Sequence, residues 1–299
     1  MTITVALPDD TVRERLSPAP DGVEFVTWSP GDDPIGRIDM LVLGYMGQSN
    51  LPALAGQPIG LIQGQSLGYD GVAAQLPAGM TYSNAVEVHE ASTAELALAL
   101  VLASVRGIPS AVINQQTETW SGVMEPGLAK RRVLLLGVGG VGGEIRARLE
   151  PFDVQLTLVA RTARDDIHGL DELPGLLPDA DIVIIAVPLT AGTTKLVDAA
   201  FLGHMKRGAL LVNVSRGKIV DTDALVDALQ SGAVTAALDV TEPEPLPAGH
   251  PLWAAPGLLL TPHVGGNTGA MAGRMDRLIR EQIRRLLAGE PPANVVVSS

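Results

Sequence analysis

Short apolar runs, rich in Val, Ile and Leu, recur along the whole chain, and between them lie segments whose apolar residues return every three or four positions. The runs have the length of buried strands and the segments have the period of helices packed on one face. Their alternation predicts parallel sheets with crossover helices. In the first part the predicted strands are Ile3–Leu7, Val23–Thr27, Ile38–Leu43 and Ile59–Gln63, with helices over Asp10–Leu16 and Leu51–Ala55. From Val133 onward the predicted strands are Val133–Leu136, Leu156–Ala160, Asp181–Val187, Leu210–Val214, Val234–Asp239 and Leu258–Thr261. Six strands with helices between them suit a doubly wound dinucleotide domain.

Two helices stand out. Ser92-Thr93-Ala94-Glu95 has the form of a capping box, with Ser92 as N-cap and Glu95 as its partner. The helix it opens, ELALALVLASVR, is apolar nearly all round, so burial between domains or against a second subunit is expected. After His263, MAGRMDRLIREQIRRLL carries Met271, Met275, Leu278, Ile279, Ile283 and Leu286 at helical spacing. It is expected to pack back on the first domain, with its arginines on a solvated face. The nucleotide domain is then an insertion: residues 96–269 within a domain made of 1–95 and 270–299. No repeat of solenoid period is evident.

Length and composition narrow the class. A chain of 299 residues has room for about two domains, and 46% apolar with 18% charged residues is the composition of a globular protein. A net charge of −12 argues against a nucleic-acid partner. With no cysteine there is neither a disulfide framework nor a thiolate metal site. MTITVALPDD lacks the basic and apolar regions of a secretion signal, and Leu96–Ala103 is too short for a membrane span, so a cytoplasmic protein without a membrane partner is expected.

VLLLGVGGVGGEIRARL places Gly137-Val138-Gly139-Gly140-Val141-Gly142 between a predicted strand and a predicted helix. That is G-x-G-x-x-G in the context where it binds a dinucleotide. Gly137 permits the tight turn, Gly139 lets backbone amides approach a pyrophosphate, and Gly142 allows close helix packing. The acid that usually holds the ribose belongs at the end of the next strand. Here the chain reads Ala160-Arg161-Thr162-Ala163-Arg164, with no carboxylate at the strand end. Arg161, Thr162 and Arg164 offer a guanidinium fork and a hydroxyl to a 2′-phosphate, so NADP(H) is preferred, with NAD(H) possible.

Arg216, Glu244 and His263 each follow a predicted strand. Together they offer a cation for a carboxylate, an anion and an imidazole for proton transfer. These residues carry a family resemblance. NVSRGKIVDTDAL, ALDVTEPEPLP and TPHVGGNT, downstream of GVGGVGGEI, are similar to the D-isomer-specific 2-hydroxyacid dehydrogenases, as are AVPLTAGTTKLV, SLGYDGV and ASTAELALALVLASVR. The resemblance spans nearly the whole chain. It implies a Rossmann domain inserted into a flavodoxin-like α/β substrate domain.

It also implies roles. Arg216 would grip the substrate carboxylate and 2-oxo group. His263 would be the acid/base, and Glu244 would hydrogen-bond it and favour imidazolium. Gly140, Val141 and Pro188 would join the cofactor contacts, and Asp239 would reach the nicotinamide carboxamide. Leu67 and Gly68 would present backbone amides to the carboxylate, with Tyr45 and Met46 lining the substrate side chain. The implied reaction is NADPH-dependent reduction of a small 2-oxo acid, glyoxylate or hydroxypyruvate, by a homodimer. A dehydrogenase of phosphoglycerate, a larger 2-oxo acid or phosphite is the alternative on the same fold, though Leu67 stands where related phosphite dehydrogenases carry lysine and a regulatory domain of the phosphoglycerate dehydrogenase kind is not expected after the last helix. A nucleotide-sensing corepressor of the same fold is the alternative from another class, though such proteins typically add long disordered extensions.

Overall fold

The computed structural model describes residues 2–33, 35–45 and 47–299, with Gln48 and Ser49 described by their backbone alone. Their contacts divide the chain into two compact units, Met1–His89 with Gly269–Ser299 and Glu90–Thr268. The first crossing lies at 89/90, not at the expected 95/96. The helix that begins at Glu90 is one continuous rod, and its buried apolar residues all pack within the second unit.

The first unit opens with β1 (Ile3–Leu7), α1 (Asp10–Leu16), β2 (Val23–Thr27), β3 (Ile38–Val42), β4 (Ile59–Gln63), α2 (Val72–Gln75) and β5 (Thr81–Ser83). Asp9 caps α1, its carboxylate accepting from Val12 N–H at 2.9 Å. The stretch expected as a helix over Leu51–Ala55 is instead a 3-10 turn over Gly47–Leu54 with Pro52 inside it. Proline has no N–H to continue an α-helix. The parallel strands run in the order β5-β4-β3-β1-β2, which is the flavodoxin-like order.

The second unit continues with α3 (Glu90–Val105), α4 (Ile108–Gln116), β6 (Arg132–Leu136), α5 (Gly140–Leu149), β7 (Gln155–Val159), β8 (Ile167–His168), α6 (Leu173–Leu176), β9 (Ile182–Ile185), α7 (Ala199–His204), β10 (Ala209–Asn213), α8 (Thr222–Gln230), β11 (Val234–Leu238) and β12 (Leu258–Leu260). All seven strands are parallel, in the order β12-β11-β10-β9-β6-β7-β8. This is the Rossmann order with one strand beyond the six expected. Both faces are covered, which is why the strands read as unbroken apolar runs: Val133 and Leu135 face one cluster, Leu134 and Leu136 the other.

One expectation about α3 is corrected. It starts at Glu90, so Ser92 lies in its first turn and is no N-cap; the Ser92 hydroxyl pairs with that of Thr268 at 2.9 Å. Its apolar residues Ala94, Ala97, Leu100, Val101 and Val105 are buried against its own unit's sheet and α5, while Leu96, Leu98 and Leu102 are half-buried. The exposed apolar surface comes later, at Ile108, Val112, Ile113, Trp120, Val123 and Met124.

The chain then returns to the first unit with α9 (Ala270–Ala288) and β13 (Val295–Ser298). Met275, Ile279 and Ile283 of α9 pack with Val5, Leu7, Val12, Leu16 and Met40, as its amphipathic pattern predicts. β13 adds to β5 antiparallel and extends that sheet to six strands. No single helix among the described residues is long and apolar enough to cross a membrane.

Candidate active site

The glycine-rich turn after β6 is tight where the protein closes on it and open at its tip. Gly137 has φ +104°, and a Cβ there would stand 2.3 Å from the Ala186 carbonyl oxygen. A Cβ on Gly142 would stand 1.9 Å from the Gly137 carbonyl oxygen. Any side chain at either position would push the turn apart. A Cβ on Gly139, in contrast, would meet nothing within 4 Å. Gly139 is the residue before α5, Gly139 and Gly140 are exposed, and Val141 packs sideways against the core. Open space at Gly139, at the amino end of a ten-residue helix, fits a pyrophosphate, whereas a Cβ on Gly140 would meet Glu90 Cγ at 2.9 Å.

At the end of β7, Ala160 is buried and its N–H donates to the His168 carbonyl at 2.9 Å, tying it to β8. The chain then turns back through paired Arg164 and Ile167, with Asp165 at positive φ. Arg161, Thr162 and Arg164 are exposed. Neither arginine forms an ion pair among the described residues, so Asp165 and Asp166 do not neutralise them. Glu172 closes the far side of the turn; the Gly169 N–H and the His168 ring hold its carboxyl below the usual range.

The chemistry-bearing residues lie at the carboxyl edge of the same sheet. Arg216 follows β10, Glu244 follows β11 and His263 follows β12, three adjacent parallel strands. His263 Nδ1 is hydrogen-bonded to Glu244 Oε1, and the two side chains keep 32% and 36% of their surface exposed. The loops after β10 and β11 touch: a Cβ on Gly217 would stand 1.9 Å from the Thr241 carbonyl oxygen, and the Thr222 hydroxyl donates to the Glu242 carbonyl at 2.6 Å. Buried Asn213 shapes the Arg216 turn, its amide donating to the Arg216 carbonyl at 2.9 Å and accepting from Ser215 N–H at 3.0 Å. Pro188 stands exposed just beyond β9, its carbonyl accepting from the Thr193 hydroxyl at 2.7 Å.

Asp239 has a task the sequence did not suggest. It is 2% exposed, and its carboxylate accepts from the Thr261 hydroxyl at 2.6 Å and from the Val264 and Gly265 amides at 2.9 Å each. Its own carbonyl accepts from His263 N–H at 2.7 Å. The loop carrying His263 is therefore wrapped around this carboxylate, and His263 sits at φ +53° within it. Both carboxylate oxygens of Asp239 are thus engaged by the loop after β12. Asn213 and Thr261 were also missed; a polar residue at the end of an apolar run was the only signal available.

In the first unit, Leu67 and Gly68 lie half-buried on the loop after β4, and Tyr45 is exposed. Met46 lies outside the described residues.

The model of the NAD-binding domain of the D-isomer specific 2-hydroxyacid dehydrogenases matches residues 98–265. The human glyoxylate reductase/hydroxypyruvate reductase is 33% identical over 251 residues, which cover 79% of this chain and 76% of that one. Among solved structures, the NADPH-dependent glyoxylate/hydroxypyruvate reductase of Sinorhizobium meliloti, in complex with NADP and malonate, superimposes with a TM-score of 0.80 at 27% identity, covering 99% of this chain and 97% of that chain. A D-isomer specific 2-hydroxyacid dehydrogenase from Xanthobacter autotrophicus, in complex with NADPH and MES, gives a TM-score of 0.80 at 29% identity over 99% and 98%.

Asp239→Asn tests the loop's anchor. One carboxylate oxygen becomes an amide NH2 that faces a backbone N–H, and charge-assisted bonding worth about 1.5–3 kcal/mol is lost. Turnover should fall by roughly 10- to 150-fold while the circular dichroism spectrum is kept. Parent-like turnover in a folded variant would show that the loop holds itself.

Proposed function

Because the chain belongs to the D-isomer specific 2-hydroxyacid dehydrogenase family, we propose that it reduces a small 2-oxo acid of the glyoxylate or hydroxypyruvate kind to the D-2-hydroxy acid with NADPH, and catalyses the reverse. The observation that carries this is the His263–Glu244 pair beside the Arg216 turn at the carboxyl edge of a nucleotide-type sheet. Bound nicotinamide supplies or accepts the hydride. The protein's part is to hold the acid and move one proton. Arg216, with a planar two-point donor, grips the carboxylate and the 2-oxo oxygen. His263 gives its Nε2 proton to the carbonyl oxygen as the carbinol forms and takes it back in reverse. Glu244 accepts from Nδ1, so the ring is fixed in orientation. Leu67 and Gly68 offer amides to the carboxylate. The human relative named above acts on glyoxylate and hydroxypyruvate by its name, and so does the S. meliloti one, with NADPH.

Gly137, Gly139, Gly140, Val141 and Gly142 would seat the pyrophosphate, with Pro188 nearby. Unpaired Arg161 and Arg164, with Thr162, would take the 2′-phosphate. We further propose a symmetric homodimer working in the cytoplasm, where reduced nicotinamide is available. What supports the dimer is the row of exposed apolar residues from Ile108 to Met124, Trp120 among them fully exposed, on one stretch of the second unit. Cyclic pairs are the commonest way such a surface is covered.

Three outcomes follow. His263→Ala should lower turnover by about 10²–10⁴-fold with little change in NADPH affinity, and Arg216→Lys should be severe despite keeping its charge. Steady-state kinetics on a panel of 2-oxo acids check both, and near-normal rates would remove these residues from the reaction. NADPH should be preferred over NADH by roughly 10- to 150-fold, the worth of one charge-assisted contact. Ala160→Asp with Arg161→Ala should reverse the order, whereas equal efficiency with both nucleotides in the parent would mean the arginines serve solvent. Light scattering at micromolar concentration should give twice the chain mass; a monomer would refute the pair.

A further inference from the structure

We propose that Asn84 and His89 are positioning residues, which aim the backbone amides of Ser66, Leu67 and Gly68 at a carboxylate. The inference rests on the reading that this loop meets the substrate's acid group, and it adds two side chains that hold the loop.

Three successive carbonyls of the loop are held from one side. His89 Nε2 donates to the Gln65 carbonyl at 2.6 Å, Ala85 N–H to the Ser66 carbonyl at 3.0 Å, and Asn84 Nδ2 to the Leu67 carbonyl at 2.7 Å. All three donors sit on the stretch 84–89. None of the cis peptide bonds falls in this loop. In a trans peptide the N–H points opposite to the C=O of the preceding residue. The amides of Ser66, Leu67 and Gly68 therefore point away from 84–89, as a run of main-chain donors. Such a run binds an anion through its dipoles without any cationic side chain, and adjacent amides suit the two oxygens of a planar carboxylate.

The holding groups are built for this. Asn84 and His89 are 3% and 5% exposed, so water does not compete for their bonds. The Asn84 main chain is pinned on both sides: its N–H donates to the Asn294 carbonyl at 3.1 Å and its carbonyl accepts from Gln63 Nε2 at 3.0 Å. Fully buried Gln282 of α9 donates in turn to Gln63 Oε1 at 2.8 Å. The His89 ring leans on Tyr45, centroids 6.1 Å apart. Among the described residues, Asn84 Oδ1 is buried with no hydrogen-bond partner. A side chain kept only for packing would not carry that cost, so the donor end is what the position needs.

The test uses the full chain and its Asn84→Ala, Asn84→Asp, His89→Ala and His89→Gln variants. KM and kcat are measured for glyoxylate at saturating NADPH, and oxalate binding is measured by calorimetry without nucleotide. Asn84→Ala and His89→Ala should each raise the glyoxylate KM and the oxalate Kd by about five- to tenfold, with kcat within about twofold and the NADPH KM unchanged. Asn84→Asp should be worse than Ala, since its carboxylate repels the Leu67 carbonyl. His89→Gln, whose amide can donate to Gln65, should recover most of the affinity. Unchanged KM and Kd in folded Ala variants would overturn the proposal and leave the reductase reading intact. Equal losses in kcat and NADPH affinity would also overturn it, because they mark general damage. A parent that turns over no 2-oxo acid, yet binds oxalate more tightly than its Ala variants, would sink the reductase reading and uphold the anion site. A parent that binds no oxalate would remove the site altogether.

Discussion

A carboxylate sealed from water must be met by donors, and in the second unit that need shapes the sheet edge that carries His263. Asp239 follows β11 directly, and the donors that satisfy it are the Thr261 hydroxyl and two amides of the loop after β12, up to 26 residues away. Leaving a buried charge unpaired is far costlier than bending a loop. The loop therefore folds onto the carboxylate and carries His263 with it, in a left-handed backbone conformation that costs a non-glycine residue about 1–2 kcal/mol. Gly265 belongs to the same constraint, since a Cβ there would press to 3.0 Å on Asp239 Oδ2. With the backbone so held, one further bond from Glu244 orients the ring.

The edge is shared by the rest of the machinery because every strand of the sheet is parallel. The glycine turn leaves β6, the arginine-rich turn leaves β7, Pro188 follows β9, Arg216 follows β10, and Asp239 and His263 follow β11 and β12. Strand interiors are buried on both faces and have no room for polar side chains, so reactive groups collect where the strands end. The two halves of that edge differ in how they would hold charge. Around α5 the donors are main-chain amides and a helix end; around β10 to β12 they are side chains steadied by Asn213, Asp239 and Glu244.

The first unit uses the main chain again. Its loop after β4 carries no cation, and what distinguishes it is the set of buried donors, Asn84, Ala85 and His89, that turn its carbonyls inward. These donors belong to a polar network that reaches α9 through Gln63 and Gln282. A helix that looks from its stripe of Met and Ile residues like plain packing thus also anchors the polar network behind the loop after β4.

The elements legible in the sequence were those set by near neighbours. Ten of the strands follow from apolar runs, α9 from its stripe, and the turn at Gly137–Gly142 from steric demands that only glycine meets. Arg216, Glu244 and His263 were legible as polar residues at strand ends. The short β5 and β8, and β13 after a Pro-rich stretch, were not, because two to four residues carry little periodicity and each forms by adding to the side of a sheet. An all-round apolar helix names no partner, and the structure assigns one side of α3, with Ala94, Ala97, Leu100 and Val101, to the sheet of its own unit. By itself the sequence determined which segments become strands and helices, where the phosphate turn lies and which side chains can do chemistry, since these depend on spacing along the chain. Only the tertiary structure decided that Asp239 grips the His263 loop and that Asn84 and His89 turn the carbonyls of residues 65–67, because a hydrogen-bond partner is chosen by proximity in space.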